Sequence, residues 1–290
     1  MTRISVYLGN HDAIMDRSWF QDVVLTFKGA MEECGLTVFL SNDTLRGDTV
    51  NLLLPPFSED MADWLGEHPN IAYGILAYDP ETEDAAFRRI AAAARFVWAL
   101  PGSALTERRT ELAWGHAAHH AGILGGGNAG GAILLLQNPT PRQEAVLSVL
   151  MASNLPVKVV PERFPLYLRD DLIAHCLCCL ALKPTEEAAV PFPPMLLAPL
   201  AAGCPVIVET DNATGFSLAE HCLAIPLAEV TATCLALVQD AGCRAEAVRR
   251  ARRFAHDNRL SHILAPVLKS LIPFGLRTDA TQTVSSPSGV

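Results

Sequence analysis

Short apolar runs alternate with longer stretches of helical periodicity along most of this chain, and this alternation constrains its fold more than any other feature. The segment Arg3 to Gly9 is an apolar run that ends at glycine, and apolar residues from Trp19 to Cys34 then recur at helical spacing until Gly35. Strands separated by helices form parallel sheets with helices on both faces. The sequence therefore predicts an α/β protein.

The alternation begins again after the sequence GILGGGNAGG at residues 122–131. Glycine permits almost any backbone angle and offers no side chain to pack, so this segment is typical of a linker. With 290 residues the chain is long enough for two domains. We predict an N-terminal Rossmann-like domain over residues 1–124, a linker over 125–131, a C-terminal Rossmann-like domain over 132–272 and a disordered tail over 273–290.

Three histidines fall within a helix that the sequence predicts over Thr106 to Ala121. On that helix His116, His119 and His120 would share one face at spacings of three and four, which is compatible with a metal ion. Surface histidines beside a glycine-rich segment explain the same pattern without a metal. We favour the second interpretation.

Eight cysteines lie mostly inside apolar runs, where a free thiol behaves as a small apolar group in a reducing compartment. No disulfide framework is therefore expected. In the run Cys176-Leu177-Cys178-Cys179, strand geometry would direct Cys176 and Cys178 to one side and Cys179 to the other, and no second pair follows at zinc-finger spacing. We interpret these cysteines as core residues and predict no metal site in the chain.

The charge balance is acidic, with 22 Lys and Arg residues against 31 Asp and Glu residues and a formal net charge of −9. A surface of that sign repels phosphate backbones, so nucleic acid is not expected as a partner. The longest apolar stretches are too short for a bilayer or are interrupted by proline and glycine. The first apolar run is too short for a signal peptide, and we expect a cytoplasmic protein without an integral membrane segment.

Three stretches of the second half carry a family resemblance. They are AILLLQNPTPRQEAVLSVLMASNLPVKVV at 132–160, YLRDDLIAHCLCCLAL at 167–182 and PPMLLAPLAAGCPVIVE at 193–209. These stretches resemble the C-terminal half of bacterial group 1-like glycosyltransferases of the GT-B fold, including the spore-maturation-protein-like branch. The first half resembles the family more weakly. The resemblance implies two Rossmann-like domains whose parallel sheets face a cleft, with a nucleotide-sugar donor on the C-terminal domain and an acceptor on the N-terminal one.

Candidate donor-binding residues stand where predicted strands end. They are Asn138, Thr140, Arg142, Lys183, Glu187 and Glu209. At Thr140-Pro141-Arg142 a strand turns into a helix, so backbone N–H groups, the helix dipole and Arg142 can hold a diphosphate. The alternative for Arg142 is an exposed first-turn residue, and the alternative for Lys183 is a solvated loop residue. Glu209 matches a glutamate of the family, and its alternative is a helix cap or a loop acid.

A polar loop follows the first strand and supplies the acceptor-side candidates. Gly9 and Asn10 would let the backbone approach a ligand, and His11 with Asp12 offers a catalytic base and its orienting carboxylate. The alternative is a polar turn that caps the first helix. The sequence does not choose between an inverting and a retaining transfer.

A basic face is expected near the end of the chain, where Arg249, Arg252 and Arg253 share one side of a predicted helix. It can contact an anionic surface, a protein partner or acidic groups of its own domain. The resemblance implies a final helix that crosses back to the first domain, which favours a structural role.

These features together predict transfer of a sugar from a nucleotide-sugar to a glycan or small-molecule acceptor, with the nucleotide-sugar as substrate and no separate cofactor. The competing hypothesis is a catalytically degenerate GT-B-fold protein that acts as a binding or scaffold partner. Two departures from the family motivate it. Gln137 and Asn138 stand where the family tends to have glycine, and the proline-rich run at 190–194 stands where it tends to have a glutamate.

Overall fold

The computed structural model describes eight segments of the chain. They are residues 3–9, 17–78, 83–101, 109–117, 125–186, 193–211, 218–271 and 283–285. The chain forms two compact units. As far as the described segments reach, the first unit comprises Met1–Asp12, Phe27–Trp114 and Leu260–Val290, and the second comprises Ala13–Thr26 and Gly115–Arg259.

The first unit is built on a parallel sheet of six strands. The strands of this unit are β1 (Arg3–Tyr7), β2 (Thr37–Ser41), β3 (Thr44–Arg46), β4 (Val50–Leu53), β5 (Tyr73–Ala77), β6 (Val97–Ala99), β7 (Arg109–Glu111) and β13 (Thr283–Ser285). The sheet has the order β2-β1-β4-β5-β6-β7, and each neighbouring pair is parallel. Strands β3 and β13 form a separate antiparallel pair.

Four helices accompany these strands among the described residues, and the first of them belongs to this unit only from Phe27 onward. They are α1 (Ser18–Glu33), α2 (Glu59–Glu67), α3 (Ala85–Ala93) and α9 (Leu260–Leu271). The starts of α2 and α3 are fixed by side-chain caps. The hydroxyl of Ser58 accepts a hydrogen bond from the backbone N–H of Met61 at 3.2 Å, and the carboxylate of Asp84 accepts one from Phe87 at 2.9 Å.

The second unit is built on a parallel sheet of five strands. Its elements are β8 (Ile133–Leu135), α4 (Pro141–Ala152), β9 (Val157–Val159), α5 (Leu166–His175), β10 (Cys178–Ala181), α6 (Leu197–Ala201), β11 (Val206–Glu209), β12 (Leu223–Ile225), α7 (Val230–Gln239) and α8 (Ala241–Asp257). The sheet has the order β12-β11-β10-β8-β9. Each neighbouring pair is again parallel, so the expected α/β class with parallel sheets is confirmed.

Each unit has its own apolar core, because the strands of a parallel sheet are covered on both faces. In the first unit, Ile75 of β5 and Phe87 of α3 are fully buried in one cluster. In the second unit, Leu135 of β8, Ile207 of β11 and Leu237 of α7 are fully buried in another. Apolar strands of this kind position the polar residues that follow them.

The helix that the sequence predicts over Thr106 to Ala121 is wrong for the residues that the structure describes there. Arg109–Glu111 is the edge strand β7, and it pairs in parallel with β6. Residues 112–117 are not helical, and the buried ring of His116 places Nε2 at 2.7 Å from the carbonyl oxygen of Ala255. Strand pairing is a non-local interaction, and here it overrides local helical periodicity. His119 and His120 lie outside the described residues.

Apolar spacing also predicts a helix over Phe192 to Ala202 and a long basic helix that runs from Arg244 toward Leu271. The structure interrupts both. The first is a 3₁₀ turn at Pro193–Leu196 followed by the short helix α6. The second ends at Asp257, and α9 begins at Leu260. The predicted tail over 273–290 is described only at β13, and its disorder stays a prediction.

The glycine-rich segment 125–131 packs closely within the second unit. The backbone N–H of Gly126 donates to Ala174 at 2.9 Å, and that of Asn128 donates to Cys176 at 3.0 Å. Gly126 has φ +85°, and a Cβ added there would lie 2.6 Å from the Cα of Cys204. A Cβ on Gly131 would lie 2.3 Å from the carbonyl oxygen of His175. The glycines are therefore required by close approach of backbone to backbone, and the domain boundaries drawn through this segment stay predictions.

Substitution of two of these glycines by alanine tests whether the segment requires glycine for close packing or for flexibility. We expect Gly126→Ala to lower the free energy of unfolding by about 2 to 4 kcal/mol, because it adds a clash with Cys204 to a strained positive φ. Gly130→Ala is the matched control, since its Cβ would meet only the Asn128 side chain at 3.8 Å, and we expect a change within about 0.5 kcal/mol. Urea unfolding measures both, and equal stability of the two variants would contradict the packed arrangement.

Candidate functional site

The candidate site lies at the carboxyl edge of the sheet in the second unit. Strands β8, β10 and β11 are parallel neighbours, so the residues that follow them meet at one edge. The structure brings together four of the predicted donor-binding residues there. They are Thr140 and Arg142 after β8, Lys183 after β10 and Glu209 at the end of β11.

Arg142 and Glu209 form a bidentate ion pair. Nη1 of Arg142 donates to Oε2 of Glu209 at 2.8 Å, and Nη2 donates to Oε1. Nη1 also donates to the carbonyl oxygen of Lys183 at 3.0 Å. The Glu209 side chain is 1% exposed and that of Arg142 is 21% exposed. The hydrogen bonds to Glu209 raise the pKa of Arg142, which is therefore a permanent cation.

Lys183 is held at both its backbone and its side chain. Its backbone N–H donates to Oε2 of Glu209 at 2.9 Å, and its Nζ lies 2.6 Å from Oδ2 of Asp211. The Lys183 side chain is 4% exposed, whereas that of Asp211 is 75% exposed. A buried ammonium group is thus paired with a carboxylate at the surface, and the solvated-loop alternative for Lys183 does not describe its position.

A hydrogen-bond network fixes the start of α4. Thr140 is the N-cap, and its side chain and that of Gln143 form a reciprocal capping box. The buried Gln143 also donates to the carbonyl oxygen of Leu182 at 2.8 Å and accepts from Nε2 of Gln137 at 2.9 Å. The hydroxyl of Thr140 donates to the carbonyl oxygen of Pro184 at 3.0 Å. The Gln137 side chain is therefore bound to the first turn of α4.

The remaining predicted site residues do not take part in the contacts described above. Asn138 is exposed in the loop between β8 and α4, and Glu187 lies outside the described residues. Gly9 is buried with φ +63°, a conformation that favours glycine. Asn10, His11 and Asp12 are not among the residues that the structure describes, so the acceptor-side loop stays a prediction.

The predicted basic face is exposed on α8. Arg249 forms an ion pair with Glu246, one turn earlier on the same helix. A Cβ added at Gly203 would lie 2.8 Å from Cγ of Arg252, so the stem of that arginine covers the glycine. Arg253 is exposed on the same helix. A partner or an anionic surface for these residues stays a prediction.

Two residues of the site were missed in the sequence. Asp211 stands two positions after Glu209, and the rule that placed Glu209 at the sheet edge also applies to it. Gln143 completes the pattern Thr-x-x-Gln before an apolar run, which is a known sign of a capping box. Both are therefore readable from local sequence. Their partners are not, because Lys183 lies 28 residues from Asp211 and Leu182 lies 39 residues from Gln143 along the chain.

The assembled charges suit an anionic ligand. Arg142 and Lys183 supply two cations, and Glu209 and Asp211 balance them. Glu209 is buried and bound to residues that follow β8 and β10, whereas Asp211 reaches Lys183 from solvent. A phosphate oxygen can take the place of the Asp211 carboxylate on Nζ without leaving Asp211 buried and unpaired.

Comparison with solved structures identifies the fold. The chain is similar to a UDP-N-acetylglucosamine 2-epimerase over 97% of its own length and 99% of that protein, with a TM-score of 0.55 at 12% identity. Further similar structures are the glycosyltransferase SnogD from Streptomyces nogalater and the glycotransferase of kitacinnamycin. They share 13% and 12% identity, each over 93% of this chain and over 100% and 98% of their own lengths, with TM-scores of 0.45 and 0.44.

The chain therefore has a GT-B-like fold, as the resemblance in its sequence implied. No model of a known protein family matches the sequence, and no curated protein matches it. The spore-maturation-protein-like branch stays a prediction. Among the described residues, every helix is too short or too polar to cross a bilayer.

The free energy of unfolding tests the Arg142–Glu209 ion pair at the centre of the site. We expect Glu209→Gln to lower the free energy of unfolding by about 2 to 4 kcal/mol, because a neutral amide leaves Arg142 without its buried counter-charge. Glu246→Gln is the control: Glu246 pairs with Arg249 and Arg250 at the surface, and we expect a loss of about 0.5 kcal/mol or less. Equal losses in chemical denaturation would show that Glu209 does not organise the site.

Proposed function

We propose that this chain is a nucleotide-sugar-dependent glycosyltransferase that binds the donor diphosphate at the carboxyl edge of its second sheet. The observation that carries the proposal is the buried ammonium group of Lys183, held by the exposed carboxylate of Asp211 and adjoining the Arg142–Glu209 pair. Two fixed cations at the end of parallel strands are the chemistry that a diphosphate requires.

The start of α4 contributes less than the sequence suggests. The capping box satisfies the N–H groups of Thr140 and Gln143, and Pro141 has none. Among the first-turn residues, Arg142 is left to offer its backbone N–H to a phosphate. The side chains of Arg142 and Lys183 therefore carry most of the proposed contact with the diphosphate.

Arg142 has donors to spare for a ligand. A guanidinium group carries five N–H donors, and the bonds to Glu209 and Lys183 engage three of them. Its side chain is partly exposed, so a phosphate at the surface can reach it. Glu209 fixes the plane of the guanidinium group, which reduces the entropy lost when a ligand binds.

The ligand class is supported by the similar structure that has a TM-score of 0.55. The name of that relative states that it acts on UDP-N-acetylglucosamine, which is a nucleotide-sugar. In the proposed reaction the bond between the sugar and the diphosphate breaks, and negative charge develops on the leaving diphosphate. Arg142 and Lys183 stabilise that charge. We assign the acceptor to the loop that begins at Gly9, with His11 as the base for the acceptor hydroxyl and Asp12 orienting it.

Displacement of the Asp211 carboxylate from Lys183 by a phosphate predicts that two substitutions change UDP affinity in opposite directions. We expect Asp211→Asn to strengthen UDP binding about 2- to 5-fold, because a competing carboxylate is removed from Nζ. We expect Lys183→Gln to weaken it more than about 10-fold, because a charged hydrogen bond to the diphosphate is lost. Asp171→Asn is the matched control, since Asp171 is 71% exposed and its ion-pair partner is His175. Titration calorimetry with UDP and with GDP measures all three.

Turnover decides between the reaction classes. A transferase releases UDP or GDP from its nucleotide-sugar in the presence of an acceptor, and Lys183→Gln should abolish the release. Binding without release from any nucleotide-sugar would support the scaffold hypothesis. Conversion of UDP-N-acetylglucosamine into its 2-epimer would replace transfer by epimerisation at the same site. Unchanged UDP affinity in both Lys183→Gln and Asp211→Asn would remove the diphosphate from this edge of the sheet.

A further inference from the structure

Three cysteine sulfurs converge near the amino end of the sheet in the second unit. Cys176 follows α5, Cys179 belongs to β10, and Cys204 precedes β11. The Sγ atom of Cys204 lies 3.2 Å from that of Cys176 and 3.8 Å from that of Cys179. All three sulfurs lie within 4.8 Å of one another, and each residue is at most 1% exposed.

The cluster corrects the expected directions of the cysteine side chains. The sequence predicts that Cys176 and Cys178 share a side and that Cys179 faces away from them. Strand β10 begins only at Cys178, so Cys176 precedes the strand and its sulfur turns toward Cys204, as that of Cys179 does. Cys178 instead belongs to the apolar cluster that contains Cys234. Strand alternation therefore separates Cys178 from the other three.

The surrounding backbone holds the three sulfurs in place. The glycine-rich segment lies directly over Cys204, since a Cβ added at Gly126 would be 3.1 Å from the Cys204 sulfur. The N–H of Asn128 donates to the carbonyl oxygen of Cys176 at 3.0 Å. The N–H of Cys179 donates to the carbonyl oxygen of Pro205 at 2.9 Å. The positions of the thiols are thus set by the fold and not by an exposed loop.

We propose that Cys176, Cys179 and Cys204 form a binding site for a soft divalent metal ion of the Zn²⁺ class. Zn–S bonds of about 2.3 Å in tetrahedral geometry place neighbouring sulfurs about 3.8 Å apart. The separation of Cys179 and Cys204 already has this value, and that of Cys176 and Cys204 would have to open by about 0.6 Å. Thiolates select soft ions over Mg²⁺ and Ca²⁺.

The electrostatic surroundings favour a divalent cation. Three thiolates around Zn²⁺ leave a net charge of −1, whereas three around a monovalent ion would leave −2 in a buried site. The Cys176 sulfur lies 3.2 Å from the carbonyl oxygen of Ile173, at the carboxyl end of α5, where the helix dipole attracts cations.

Burial determines how the site would be filled. With its ligands at most 1% exposed, the site admits an ion as the chain folds and not afterwards. Metal binding and folding are then coupled, because the three ligands come together only in the folded unit. The metal should therefore stabilise the folded chain, and a chelator should act slowly on the folded form.

The experiment refolds the full chain under a reducing agent with Cd²⁺ or Zn²⁺ as the probe, removes free metal, and measures bound metal per chain. We expect one ion per chain, thiolate-to-Cd²⁺ charge-transfer absorption, and an increase in Tm. Cys204→Ser should lower the affinity at least about 10-fold through loss of a ligand. Cys178→Ser is the matched control, since Cys178 is as deeply buried in β10, and it should bind as the unmodified chain does.

X-ray absorption of the Zn²⁺-loaded, unmodified chain keeps the test independent of whether the variants fold. Three sulfur neighbours at about 2.3 Å support the site. Fewer than three sulfurs, or no metal retained after refolding, overturns it. Equal affinity in a folded Cys204→Ser variant overturns it as well. The test does not involve a nucleotide-sugar, so its outcome is independent of the proposed transferase activity.

Discussion

The buried carboxylate of Glu209 is the group on which the carboxyl edge of the second sheet depends. A carboxylate that is 1% exposed has lost its hydration and must recover the lost energy from donors of the protein. Arg142 supplies two of these donors and the backbone N–H of Lys183 supplies a third. Because the donors follow β8 and β10 and the acceptor ends β11, one side chain fixes the ends of three strands.

The two cations of the site differ in how firmly each is held by its carboxylate partner. Arg142 is bound to a carboxylate that cannot leave, so it contributes direction and shape to a ligand site. Lys183 is bound to Asp211, which is 75% exposed and loses little on returning to water. The Asp211 carboxylate can therefore leave Lys183 at little cost, whereas Glu209 holds the ends of the strands together. A site of this kind remains electrically balanced without a ligand, in a chain that carries a net charge of −9.

Local sequence rules account for the parts of the fold that local interactions determine. Thr140 caps α4 at the point where the sequence predicts that a strand turns into a helix. The parallel-sheet rule also predicts that Arg142, Lys183 and Glu209 lie at one edge. It could not show that Arg142 and Glu209 bind each other, since that pairing joins residues 67 positions apart in the chain.

The errors of sequence reasoning arise where distant backbone segments meet. Periodicity predicted a helix across Arg109–Glu111, but pairing with β6 makes this segment a strand. The linker over 125–131 stays a prediction, because a glycine required by close packing and a glycine required by flexibility look the same in a single sequence. Only the structure shows that Gly126 lies against Cys204.

The same packing explains why two edges of one sheet differ in chemistry. At the carboxyl edge the residues that follow β8 and β10 and those at the end of β11 include charged side chains, which meet and pair with one another. Near the amino edge the glycine-rich segment packs against the residues before β10 and β11 so closely that Cβ atoms added at Gly126 and Gly131 would clash with their backbone. Cysteine is small and apolar enough to fill that space, and three of them there also place three metal-binding atoms together. Tight packing of backbone thus selects the residue type from which a thiolate site can be built.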